Sequence, residues 1–303
     1  MKHKVSIAIL ISCLVLVSFP TTLVRAASPL HPYLPAQVIN EYEYLTELRA
    51  MSDAALLSVG FTATEISALR VFNFADHLRE VAKLPSMALR NAGYTNEQIQ
   101  LFAKFDGRND EHLRILSASL SLWAGFSAWH YEPNPAGESW VRLWVSWGWA
   151  GIPSGTLTDR LVLNWSHDFR LDRSPNQTHA SVHYFYESVY EYWATETVAP
   201  TPDVNAPGND TNAAEFLIRM RKGISGLLCR ALSGTATVRV FDAGPKNSVN
   251  LFVSYGHRAT LLAFEPGWSL SGPDVGIAWR GFWVHANVDA GMLNLFTGAI
   301  SQK

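Results

Sequence analysis

The chain has 303 residues, of which 48% are hydrophobic and 12% aromatic, and its formal net charge is −2. That length supports one large or two modest domains with a sizeable core. The near-neutral balance excludes the basic field of a nucleic-acid binder and a polybasic membrane patch, so no nucleic-acid partner is expected.

Residues 1–26 open with Lys2 and Lys4, continue as an apolar run from Val5 to Phe19, and break at Pro20. Val24-Arg25-Ala26 offers a peptidase site, so the segment predicts a secretory signal cleaved after Ala26 and a secreted, extracellular product. The apolar run is shorter than the ~20 residues of a bilayer span. Cys13 precedes that cleavage point, which leaves Cys229 alone and unable to form an internal disulfide. Its apolar neighbours predict a small buried side chain.

Residues 27–118 read as a helical repeat region. Stretches 45–74 and 78–107 match at one period: Gly60-Phe61-Thr62 with Gly93-Tyr94-Thr95, and Glu65-Ile66 with Gln98-Ile99. In each unit a short helix stops at a glycine. Thr62 or Thr95 then stands at an N-cap, with Glu65 or Gln98 at the capping-box spacing. His77 and His112 recur at equivalent places and read as part of a polar helix face.

Residues 119–303 carry all of the Trp residues and switch towards period two. Along 140–149, Val141, Leu143, Val145, Trp147 and Trp149 share one face; Trp140, Arg142, Trp144 and Ser146 share the other. Residues 160–171 alternate as one strand, and 181–190 fit either strand or helix. A Pro-rich stretch at 198–212 reads as a loop. Glu215–Leu228 reads as a short amphipathic helix, with Phe216, Leu217, Met220, Ile224 and Leu227 as its apolar stripe. Strand patterns resume at 235–242, 248–255, 259–264, 275–279 and 282–288. The fold class is therefore α+β: N-terminal helical hairpin repeats followed by a C-terminal antiparallel β-sandwich rich in aromatics, with a loop and short helix at about 198–230.

The candidate ligand-binding residues are Trp140, Arg142 and Trp144, because aromatics aligned on a sheet form a platform for sugar rings or an anchor at a lipid headgroup layer. His179, His183, Glu187 and Glu191 fall at a spacing of four. Imidazole and carboxylate suit Zn²⁺, but the spacing does not match a His-Glu-x-x-His site, so the stripe reads as a solvated polar edge and no cofactor is expected. Ser166-His167-Asp168 is no triad, since adjacent strand residues face opposite ways. Acids in the aromatic region (Glu132, Glu138, Glu187, Glu191, Glu265) are the residue type of glycoside hydrolysis. No catalytic or nucleotide-binding motif occurs. Asn164, Asn176 and Asn209 head glycosylation tripeptides. The leading expectation is a non-enzymatic binding protein directed at a glycan or cell-envelope polymer. A membrane-active β protein is the first alternative and a polysaccharide hydrolase the second.

Overall fold

The computed structural model describes residues 37–166, 169–201, 212–257, 268–270, 277–279 and 284–301. The export segment, His167, Asp168, Asn209, Glu265, the 259–264 strand and most of the Pro-rich loop lie outside them.

Among the described residues the chain is a mixed α+β protein with seven helices and two large antiparallel sheets. It starts with β1 (Gln37–Asn40) and runs through α1 (Glu41–Ala50), α2 (Asp53–Ser58), α3 (Ala63–Val71), α4 (Phe74–Val81), α5 (Ser86–Asn91), α6 (Asn96–Phe102) and α7 (Asp110–Leu116). Next come β2 (Ser119–His130), β3 (Glu138–Ala150), β4 (Thr158–Trp165), β5 (Arg170–Leu171), β6 (His179–Tyr186) and β7 (Glu191–Val198). After these come β8 (Ala213–Arg219), β9 (Arg221–Ile224), β10 (Leu227–Ala243) and β11 (Ser248–His257). The last strands are β12 (Trp268–Leu270), β13 (Ile277–Trp279), β14 (Val284–Asn294) and β15 (Ile300–Ser301).

The larger sheet has the order β1-β2-β3-β10-β6-β7, with β5 and β9 also paired to β10. The smaller has the order β15-β14-β11-β4-β8, and β12 pairs with β13. The inward faces touch: the Trp147 and Tyr255 rings are 6.0 Å apart, and Tyr184 Oη donates to the Arg219 carbonyl at 3.0 Å.

The predicted helix signals operate as local chemistry. Gly60 and Gly93 have φ of 97° and 93°, a region that a side chain disfavours. Thr62 and Thr95 cap α3 and α6, each in a complete capping box. Glu65, whose carboxylate accepts from the Thr62 backbone and hydroxyl, is itself buried. Thr62→Ala should therefore cost about 1 kcal/mol of stability, read as a lower denaturant midpoint with an unchanged m-value.

The helices are bonded to the chain where it leaves β3. Gly151 N donates to the Ala92 carbonyl at 2.8 Å, and Ile152 N donates to Tyr94 Oη at 3.0 Å. Gly151 has φ 92°, and a Cβ there would press against Tyr94 and the Ala118 backbone at 3.1 Å. The helical segment is also tied into the larger sheet at its start, because β1 pairs with β2.

Two sequence expectations need correction. Residues 215–228 form no helix; they are the end of β8, β9 and the start of β10. A period-two set, Ala214, Phe216, Ile218 and Met220, is buried, while Leu217 and Arg219 point outward. The helical stripe was a coincidence of Leu217, Ile224 and Leu227 with that set, and β-branched Ile218 favours the strand. Second, 160–171 is not one strand. β4 lies in the smaller sheet and β5 pairs with β10 in the larger. Trp165 Nε1, at the end of β4, donates to the Phe169 carbonyl at 2.8 Å, just before β5. Residues 181–190, undecided by periodicity, are strand up to Tyr186.

Candidate functional site

The alternation in β3 places its residues as the sequence predicts. Val141, Leu143, Val145, Trp147 and Trp149 are buried; Trp140, Arg142, Trp144 and Ser146 are half-buried on the opposite face. Trp140 sits in a cationic-aromatic stack. The guanidinium carbons of Arg239 and Arg142 lie 5.4 and 6.0 Å from its ring centroid. His130 stacks on it at 6.3 Å. Arg239 and Arg170 flank Phe241 at 5.6 and 5.2 Å. This arises from register: His130, Trp140 and Phe241 are cross-strand partners on β2, β3 and β10, as are Arg142 and Arg239.

The polar groups around this stack are largely engaged. Arg239 bonds Asp172 at 2.7 Å and also reaches Glu138. Burial works against the Asp172 carboxylate, but hydrogen bonds from Ser174 and Arg239 outweigh it and hold its pKa below the usual aspartate value. Arg142 donates to Gln177 Oε1 at 3.1 Å. Trp144 has only Gly125 and Thr237 as cross-strand neighbours, so no large side chain walls it in along its row.

The remaining sequence candidates separate. His179 and His183 share the outer face of β6, and His183 Nδ1 lies 3.2 Å from Ser233 Oγ. Glu187 is not with them: Arg221 and Arg230 hold its carboxylate, at 2.8 and 3.0 Å. Among the described residues no group of three metal-ligating side chains assembles. Of the acids considered for hydrolysis, Glu138 and Glu187 are neutralised by arginines and Glu132 folds onto Asn134 N and His130. Cys229 is buried and unpaired, and burial raises its thiol pKa.

The structure adds a surface that sequence reasoning missed. At the edge of the larger sheet, the start of β7 leaves Tyr192 59% and Trp193 44% exposed. Tyr192 meets Phe185 at 6.2 Å and His183 at 6.3 Å, and Trp193 meets Tyr186 at 6.4 Å. The register slips between Tyr184 and Phe185, which makes Trp193 the extra residue of a bulge on an edge strand. Beside this tip lies the β9–β10 hairpin, whose two turn residues Ser225 and Gly226 both have positive φ. It exposes Leu228. Cys229 joins the two hairpins by pairing with Tyr186 on one side and Lys222 on the other. The base is braced by Arg230, which holds Glu187 and donates to the carbonyls of Pro153 and Gly155 at 2.8 and 3.1 Å. The signal in the sequence was the dense run Tyr190-Glu191-Tyr192-Trp193, whose exposure depends on its place at a sheet edge.

No helix of the described residues is long and apolar enough to cross a membrane. No known family model matches the sequence, and no curated protein does. Among solved structures, the chain is similar to Clostridium perfringens delta-toxin, with 11% identity over 62% of this chain and 88% of that one and a TM-score of 0.28. A pore forming protein is similar at 11% identity, over 61% and 83%, with a TM-score of 0.21. The membrane inserted form of Clostridium perfringens NetB toxin is similar at 11% identity, over 62% and 94%, with a TM-score of 0.21. Likenesses at these TM-scores do not establish a shared fold.

Proposed function

We propose that this is an exported, membrane-directed β protein. Its larger sheet, one half of a sandwich, meets a lipid–water interface through the aromatic tip at the β6–β7 and β9–β10 hairpins. The observation that carries this reading is the company that Tyr192 and Trp193 keep. Leu228, on the β9–β10 hairpin that pairs with β6 from the other side, is exposed as well. An aliphatic side chain offers nothing to a sugar hydroxyl, whereas it gains by leaving water among acyl chains. Phenol and indole suit the same boundary, with an apolar ring and one polar edge. Arg221 and Lys222 stand just behind, where they can face anionic headgroups, although each already has a carboxylate partner.

A second reading keeps a glycan or cell-envelope polymer as the partner, bound by Trp140, Arg142 and Trp144. It is favoured by the half-open outer face and by the Arg-flanked indole of Trp140. Co-sedimentation of the purified protein with liposomes and, in parallel, with isolated cell-wall polymer separates the two. Pelleting with liposomes alone is the expected result. Pelleting with polymer alone transfers the function to the Trp140 face, and pelleting with neither removes both readings.

A further inference from the structure

We infer that His257 is a pH-operated latch that grips α1 to the sheets when its imidazole is charged and loosens it when neutral. The residue ends β11, and its side chain is fully buried. Nδ1 lies 2.9 Å from both carboxylate oxygens of Asp159 on β4. Tyr255 Oη donates to Asp159 Oδ2 at 2.7 Å. Nε2 points the other way and has no hydrogen-bond partner. What it faces is Glu41 Oε1, 3.8 Å away on the first residue of α1. Glu41 is fully buried too, and accepts from Ser154 N and Oγ. The Trp149 ring of β3 closes the site, 4.7 Å from the imidazole. One imidazole thus touches α1, β3 and β4 from its place on β11.

The two protonation states differ in what they do for α1. A neutral imidazole that gives its proton to Asp159 turns a lone pair towards the Glu41 carboxylate. Two buried acceptors then face each other with no hydrogen between them, which is costly. A charged imidazole carries a proton on each nitrogen and attracts both carboxylates at once. The other charged or titratable groups around the site are fixed. Arg230 is held by Glu187 and the 153 and 155 carbonyls, and it disfavours the charged state. His77 Nε2 lies 2.9 Å from the Ile152 carbonyl, and burial lowers its pKa.

Burial pushes the His257 pKa down. The charge and hydrogen bond of Asp159, and then the charge of Glu41, outweigh this and leave it above the ordinary value of 6.5. A raised folded-state pKa means that the stabilisation is fully present below 6.5 and is lost as pH climbs through the folded value. The latch is closed in mild acid and opens on the alkaline side.

The test follows two observables on the full chain. Histidine NMR, assigned through the backbone, gives the midpoint of His257. Hydrogen exchange at a series of pH values, corrected for intrinsic rates, gives the protection of α1, with α6 as internal reference. We expect His257 to titrate above 6.5. Protection of α1 should fall relative to α6 across the same midpoint, because the stabilisation carried by the charged imidazole is lost there. Glu41→Gln should abolish most of that fall. A midpoint at or below the ordinary value, protection that does not follow it, or an undiminished fall in Glu41→Gln overturns the latch. Should Glu41→Gln not fold, coincidence of the two wild-type midpoints still decides.

Discussion

Replacing Tyr192 and Trp193 together by serine is expected to weaken partitioning into liposomes about 100-fold while leaving the unfolding midpoint close to that of the parent protein. The two effects separate because both side chains are exposed in the folded chain, so folding gains little from them. Taking a large apolar side chain fully out of water is worth roughly 1.5–3 kcal/mol. Two such groups, each only partly inserted, give about 3 kcal/mol, or some two decades of binding constant. The braced base should survive the change, since Arg230, Glu187 and Arg221 are untouched by it. Flotation or sedimentation across a lipid titration gives the ratio directly. Trp140→Ala and Trp144→Ala serve as the contrast, because the membrane reading expects them to leave lipid partitioning nearly unchanged. A tip variant that partitions like the parent, or a larger loss from the Trp140 face, would falsify the tip as the lipid contact.

Much of the helical chemistry was legible because it is local. A glycine that must take positive φ, followed two residues later by a threonine with Glu or Gln at the capping spacing, specifies its own conformation. The two faces of β3 were legible for the same reason, since period two is written in consecutive residues. Residues 215–228 were misread because a helical and a strand period overlapped there, and the deciding partner, β4, lies more than fifty residues away. The candidate site was readable only in part. Trp140, Arg142 and Trp144 fall on one face from their numbers alone, but the stack around Trp140 needs Arg239 and Phe241 of β10, which only sheet register supplies. The Tyr192–Trp193 tip depended on an edge position and a bulge. The cluster of Glu41, Asp159 and His257 joins residues far apart in the chain, and no spacing rule reaches that distance.

The same dependence on register makes one core pair a sharp test of how the larger sheet is held. Trp147 is 2% exposed, among the largest fully packed side chains, and Gly234 lies directly opposite it on β10. The absence of a side chain at 234 is what admits the indole: a Cβ there would come within 2.3 Å of the Trp147 ring and 2.5 Å of the Ser181 carbonyl. Trp147→Ala removes the ring that meets Tyr255 of the other sheet and should cost about 3–5 kcal/mol. Gly234→Ala alone should cost roughly 1–3 kcal/mol as overpacking, because ring and carbonyl would both have to move. The double variant should cost less than the sum of the two, by about 1 kcal/mol or more, since shrinking Trp147 removes one of the two clashes and the new methyl fills part of the cavity. The saving is limited because the Ser181 carbonyl belongs to the neighbouring strand and stays in place. Denaturant unfolding of the four proteins closes the cycle. Additive costs would mean that the indole and the glycine do not share a space, and the account of β3 and β10 as a mutually fitted pair would have to be abandoned.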